Sequence, residues 1–330
     1  VLRVLMLNEA PRAGGQIYRN VSADAAPWLG RDYAAGAALV AGLTHPNIQT
    51  EFGATVWRIE ADGRVVWSQN GASQISAAPH ILLAGGAQER PTPFPGWTLP
   101  GVMTAGGVQS LLKSQKLQMG QRLVLAGSHP ILLILAEQLL DAGAEIAEIA
   151  LARGLPRMSE MIGAVPAIPG HVALFAAGLR ALRKIVAHGV PLSRKTIIDG
   201  AEGETAVTGV RLASIDGAWM RTGPVRQVQA DLLVLGYGFN PSTELARQAG
   251  CKMQWGSASG GWVVAHDSGF QTSAEGIFVA GEPTGVAGAE RSWAEGRMAG
   301  LHIAASLGAP LPPAWQKEAQ NTLARAHRFS

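Results

Sequence analysis

Four times in 330 residues a short apolar run breaks off into glycine. Residues 1–7 lead through Asn8 and Glu9 to Gly14 and Gly15, and residues 80–83 run into Ala84, Gly85 and Gly86. Residues 123–126 run into Gly127, and residues 276–280 into Gly281 and Glu282. A buried parallel strand reads as a near-continuous apolar run. Where the chain leaves such a strand through bare backbone, it can turn sharply and let a phosphate approach. The pattern predicts an α/β fold of strand–turn–helix units of the dinucleotide-binding kind.

Between these landmarks, residues 33–43 predict a helix and residues 48–82 a small antiparallel meander. Residues 90–101 are too rich in Pro and Gly for helix or central strand. Residues 105–117 predict a helix. A βαβ unit follows, with strands at 123–126 and 145–151 flanking a helix at 131–142 that is apolar nearly all round. Residues 172–188 predict an amphipathic helix burying Val172, Phe175, Leu179, Leu182 and Val186. Further strands are expected at 207–215 and 228–235, and helices at 290–307 and 314–330. The chain thus starts one nucleotide-type domain, interrupts it with another, and returns to finish the first. The expected division is residues 1–117 and 238–330 for the first domain, and 118–237 for the inserted one.

Bulk properties exclude several functions. A net charge of +3 with dispersed Lys and Arg argues against nucleic-acid binding. The most apolar stretch, 123–140, is interrupted by Gly127, Ser128, His129 and Glu137, so no membrane insertion is expected. The single cysteine, Cys251, excludes an internal disulfide, a CxxC pair and a cysteine-rich iron–sulfur or zinc site. It fits a reduced, cytoplasmic setting, as a small buried residue or as a reactive thiol. The eight histidines show no metal-ligand spacing, so no metal is expected. The tryptophans read as core and surface anchors, with Trp97 placed to approach a cofactor from its Pro-rich loop.

Two acids stand where a cofactor would need them. Glu9 closes an apolar strand, the usual place for a carboxylate that accepts both ribose hydroxyls. Gly281 and Glu282 suit the ribityl and pyrophosphate portion of FAD, and the helix after Gly288 and Ala289 would offer its N–H groups to the flavin ring. Each also has a plain reading as a solvated glutamate beside an ordinary turn. The turn of Gly127, Ser128, His129 and Pro130 occupies the phosphate position of the inserted domain. It matches G-x-G-x-x-G poorly, with His129 and Leu132 at the second and third glycine positions. Arg153, where an acid would select a ribose, favours a phosphorylated one. NAD(P) is therefore a poor fit to this turn. His129 reads as a turn residue, with acid–base work as the alternative.

The stretches NEAPRAGGQIYR (8–19), ILLAGGAQERPTPFPGWTLPGVMTAGGVQSLLKSQ (81–115), LVLAGSHPILLILAEQLLDAG (123–143), ADLLVLGYGFNPSTELARQAGC (230–251) and GIFVAGEPTGVAGAERSWAEGRMAG (276–300) together carry a family resemblance. The chain resembles the FAD/NAD(P)-binding alpha-type subunits of bacterial amine and imino-acid dehydrogenases, within the pyridine nucleotide–disulfide oxidoreductase superfamily. That group includes the corresponding subunits of opine oxidase, hydrogen cyanide synthase and D-hydroxyproline dehydrogenase. The resemblance implies two Rossmann-like three-layer domains of the glutathione/thioredoxin reductase kind. It implies FAD, held by Glu9, Arg12, Gly14, Gly15 and Gln16, by Ala84, Gly85 and Gly86, and by Gly281 and Glu282. The family usually has Asp where Glu282 stands, and the longer arm is expected to reach the same hydroxyl.

The group begins with a strand, a G-x-G-x-x-G turn and a helix ahead of the strand matching residues 1–7. That unit is not in this sequence, which starts with Val, so a fragment or a misplaced start is expected, leaving residues 1–7 with an unpaired apolar edge. Many of its members also continue into a cysteine-rich iron–sulfur domain. The implied function is an FAD-dependent, electron-transferring subunit. Its implied partners are a beta-type flavoprotein subunit together with a small iron–sulfur subunit. The alternatives are a stand-alone NAD(P)H-dependent flavin reductase and a non-catalytic scaffold subunit that has lost FAD.

Overall fold

The computed structural model describes residues 2–19, 21, 31–60, 62–115, 120–153 and 168–327. The chain divides into two units. The first takes the described residues of Val1–Ala25, Arg31–Gln88 and Phe239–Ser330, and the second those of Glu89–Gly238. The sequence pattern placed residues 89–117 in the first domain. In the structure Val102–Thr104 instead pairs in parallel with Leu232–Gly236, and Val108 and Leu112 of the helix Ala105–Gln115 join the second unit's core.

In the first unit the strand Val4–Asn8 pairs in parallel with Ile48–Phe52, residue 4 opposite 48 through 8 opposite 52. The expected meander over 48–82 is therefore shorter. It comprises Thr55–Ile59, Arg64–Gln69 and Ala72–Ala77, while Ile48–Phe52 is drawn off as a parallel partner. Trp67 anchors the meander, 3% exposed with its indole N–H donated to the Ser76 hydroxyl at 3.0 Å. A second parallel pair joins Ile81–Leu83 to Ile277–Val279. The two pairs are separate two-stranded sheets with a common core, where Leu83, Ile277 and Val279 pack with Ile59, Trp67 and Cys251 and Leu7 leans on the same cluster. Val4 is 51% and Leu5 40% exposed. Cys251 is buried, its thiol 3.3 Å from the Thr272 hydroxyl. The helices Ala289–Ser306 and Pro313–His327 close this unit, tied by Arg297 to Glu318 at 2.8 and 2.9 Å.

The second unit is built on a five-stranded parallel sheet. Its order is Leu192–Arg194, Glu145–Leu151, Arg122–Gly127, Leu232–Gly236, Val102–Thr104. A three-stranded antiparallel sheet of Thr196–Glu202, Gly209–Ile215 and Arg221–Gln229 accompanies it, so the strand expected at 228–235 is two strands, broken at Ala230 and Asp231. The helix Ile131–Asp141 buries Leu132, Leu135 and Leu139 completely, each contributing about 1.5–3 kcal/mol of apolar burial. Gly143 at φ +84° ends it, with Ala144 N–H on Leu139 C=O and Gly143 N–H on Leu140 C=O. This is the left-handed cap that glycine adopts without strain.

The helix Ile168–Ala187 turns a different face inward from the one expected. Leu179 and Val186 are 50% and 74% exposed, and Ala181 and Ile185 are the fully buried residues. Arg180 pairs with Glu137 at 2.6 Å and Lys184 with Asp141, so both cations lie along the preceding helix and the small Ala181 permits the close approach. Val172 and Phe175 fall outside the residues whose side chains are described.

Candidate functional site

Two turns of the first unit leave the same edge of one parallel pair. Ala280 N–H donates to Leu83 C=O at 3.0 Å. Val279 is opposite Leu83. Residues 84–86 and 281–282 therefore emerge side by side at the carboxyl ends of their strands, where α/β sheets bind ligands. Gly86, at φ +73°, passes its carbonyl to Ser242 N–H at 3.0 Å. Gly281 sits at φ +79° and ψ −149°, a backbone region essentially closed to other residues.

What holds the Gly281 turn gave no sign in the sequence pattern. Glu295, on the helix Ala289–Ser306, is 0% exposed. Its Oε2 accepts the Gly281 N–H at 2.9 Å and the Thr284 hydroxyl at 2.7 Å. Its Oε1 accepts Arg291 Nε at 2.7 Å, and His327 Nε2 stands 3.9 Å from it. In sequence Glu295 is one more glutamate four residues from an arginine on an amphipathic helix. The available signal is its position between Ala294, Met298 and Ala299, which form the buried face.

Glu282 turns back on its own loop. Its Oε1 accepts the Gly288 N–H at 2.8 Å and the Ala287 N–H at 3.4 Å, with the Ser292 hydroxyl at 3.5 Å. The helix it faces starts at Ala289, so these bonds hold the loop against the helix N-terminus.

Glu9 is exposed at the end of Val4–Asn8. Beside it, the Asn8 side chain accepts the Ala10 N–H at 3.1 Å and fixes the start of the loop. Gly14, at φ +113°, receives the Tyr18 N–H at 2.9 Å, and a Cβ there would fall 2.1 Å from the Tyr18 carbonyl. Gln16 accepts Arg19 at 2.6 Å, and Arg12 is exposed. This loop follows a strand of the other two-stranded sheet. It is related to the 84–86 and 281–282 turns through the core that Leu7 joins.

Room for a cofactor can be tested at the glycines. A Cβ built at Gly15, Gly86 or Gly288 meets nothing within 4 Å. All three have positive φ (+57°, +73° and +90°), so bare backbone faces open space in each of the three loops. The residues present fit a bound dinucleotide.

The turn at 127–130 in the second unit is built oppositely. Ser128 N–H and His129 N–H both donate to Gly236 C=O at 3.0 Å. Ile131 N–H is taken by His129 Nδ1 at 3.2 Å. A Cβ at Gly127 would lie 2.1 Å from the Gly236 carbonyl. Leu132 fills the place of the third glycine, and its side-chain carbons come within 2.7 Å of a Cβ built on Gly236. Burial lowers the His129 pKa, which keeps the ring neutral and Nδ1 an acceptor. This arrangement occupies three of the donors a pyrophosphate would use. Arg153 is exposed and Trp97 is 45% exposed. Among the described residues no group of three or more His, Cys, Asp and Glu could hold a metal, and no helix is long and apolar enough to cross a membrane.

Known proteins share this architecture. The chain is 34% identical over 320 residues to an opine oxidase subunit of Rhizobium meliloti, covering 93% of this chain and 59% of that protein. It is 32% identical over 336 residues to the hydrogen cyanide synthase subunit HcnB of Pseudomonas aeruginosa, covering 97% and 70%. It thus spans about three-fifths of the opine oxidase protein. Among solved structures, L-proline dehydrogenase from P. horikoshii superposes with a TM-score of 0.68 at 16% identity, over 97% of this chain and 54% of that one. T. acidophilum thioredoxin reductase does so with 0.66 at 15%, over 93% and 91%. The model of the pyridine nucleotide-disulphide oxidoreductases matches residues 6–306. Open glycine turns at the carboxyl ends of parallel strands, and a family match spanning both units, make this chain a member of the pyridine nucleotide-disulphide oxidoreductase family, whose oxidoreductases bind FAD.

Proposed function

We propose that this chain is the FAD-carrying, electron-transferring subunit of an amine or imino-acid dehydrogenase complex. The observation that carries the reading is the contrast in backbone supply. The glycines at 15, 86 and 288 face open space, whereas the N–H groups at 128, 129 and 131 are consumed within the turn. FAD is accepted in the first unit, and a nicotinamide dinucleotide finds no ready phosphate site in the second. That disfavours a stand-alone NAD(P)H-dependent flavin reductase.

FAD, when bound, supplies the two-electron chemistry, and the protein supplies binding, orientation and electrostatics. Glu9 would accept the ribose hydroxyls at the adenosine end. Arg12, Gly14, Gly15 and Gln16 would line the same end. Ala84, Gly85 and Gly86 would let the cofactor approach their strand. Gly281 and Glu282 would meet the ribityl portion, and Gly288 and Ala289 would turn the helix start toward the flavin. Glu282 already engages Gly288 N–H, so it would hold the loop and the cofactor hydroxyl with one carboxylate.

Relatives named as subunits of opine oxidase and of hydrogen cyanide synthase support a complex. The partners proposed are a beta-type flavoprotein subunit, which would oxidise the substrate, and a small iron–sulfur subunit. Co-expression with a beta-type subunit should yield a yellow complex with amine-dependent dye reduction. A colourless chain, giving no dye reduction in the presence of the partner, would instead favour a scaffold that has lost FAD.

A further inference from the structure

Glu295 is an unexpected residue for a helix that only needs to pack. Its neighbours on the buried face are Ala294, Met298 and Ala299, and an apolar side chain there would avoid the desolvation of a carboxylate. Its contacts reveal what the carboxylate accomplishes. One oxygen takes the Gly281 N–H and the Thr284 hydroxyl, and the other takes Arg291. The single Thr284 hydroxyl proton serves either Glu295 Oε2 or the Gly281 C=O 2.8 Å away, so the Gly281 N–H bond to Glu295 is the fixed hold on the turn. Gly281 occupies a backbone region open to glycine and closed to other residues, and a residue with so many accessible conformations needs an outside bond to select one of them.

We propose that Glu295 is a positioning residue for the flavin site: its buried carboxylate sets the Gly281 turn, and through it the placement of Glu282. The carboxylate makes the binding conformation the resting one, so FAD does not have to order the turn on arrival. This inference rests on the FAD reading above, and its test separates the two.

The test compares Glu295→Gln with the unaltered full chain. The amide keeps the shape but turns a donor toward groups that are themselves donors. Fluorescence titration with FAD is expected to show at least tenfold weaker binding. Amide hydrogen exchange is expected to be at least tenfold faster at Gly281, while the amides of Ile277–Val279 keep their wild-type protection. Wild-type exchange at Gly281 would overturn the proposal, and so would faster exchange spread evenly through the strand and the helix, which marks a merely structural role. A second variant, Glu295→Leu, leaves the Gly281 N–H and Arg291 without their acceptor and should lower the melting temperature. Measured well below that temperature, it should lose Gly281 protection while Ile277–Val279 keep theirs, and loss shared by that strand would overturn the proposal. If the unaltered chain takes up no FAD, the functional reading fails while the exchange arm still decides the role of Glu295.

Discussion

Two strand–turn–helix corners in this molecule look alike in sequence and are opposite in chemistry. At 281–289 the strand Ile277–Val279 leads through a glycine in a glycine-only conformation to a helix whose first residues follow an open Gly288. The loop's needs are met by side chains, Glu295 from below and Glu282 from within. At 127–131 the strand Arg122–Gly127 leads to a helix whose approach is closed by main chain, with Gly236 C=O taking two N–H groups and His129 a third. The first corner has its Gly281, Ala287 and Gly288 N–H groups on carboxylates and open space over Gly288. A corner satisfied by neighbouring backbone has nothing left to offer. Glycine content alone does not distinguish them. Which atom lies over the glycine does.

Equivalent substitutions should therefore fail in different ways. Gly127→Ala places a Cβ 2.1 Å from the Gly236 carbonyl, and with no flexible atom to yield it should cost about 4 kcal/mol or more. Urea unfolding should show the loss, with binding of FAD to the folded fraction unchanged. Gly86→Ala and Gly288→Ala meet no clash, so each should cost only its positive-φ backbone strain, about 1–3 kcal/mol, with Gly288 at the upper end. Their effect should appear instead as FAD affinity lowered at least tenfold in a fluorescence titration. Restoring glycine at the closed corner, with His129→Gly, should not create a nucleotide site. The N–H groups of residues 128 and 129 would still be bonded to Gly236, and stopped-flow mixing with NADPH should leave the flavin oxidised.

The smallest effect concerns pH. Burial holds the folded His129 below its ordinary pKa. In the unfolded chain the ring protonates near about pH 6.5. Below that pH the unfolded state binds the extra proton, so stability falls as pH drops from there toward the lowered folded value, and is flat above. Protonation also removes the acceptor for Ile131 N–H. Thermal unfolding followed from pH 7.5 to 5.5 should show this loss, and His129→Asn should reduce it.

Much of the architecture was legible. The runs ending at Gly127 and Val279 are strands buried on both faces, and those ending at Asn8 and Leu83 are partly exposed strands, yet all four are apolar runs without the periodicity of a helix. What escaped the sequence depends on partners far along the chain. Ile48–Phe52 has the composition of a meander strand, and only its pairing with Val4–Asn8 makes it parallel. Leu179 and Val186 have the spacing of a buried stripe. In the structure Ala181 and Ile185 face inward, and Arg180 and Lys184 pair with Glu137 and Asp141 alongside them. At the site, Glu9 and Gly281 were visible as strand-ending signals. Glu295 was not, because an ion pair at four-residue spacing reads as solvated surface until the helix is seen to bury it.

The most direct test is to titrate the same purified chain with FAD and with NADPH in parallel calorimetry experiments. The account predicts saturable FAD binding with heat uptake or release at one site per chain, and no measurable binding of NADPH. Tight NADPH binding to a chain that ignores FAD would contradict it.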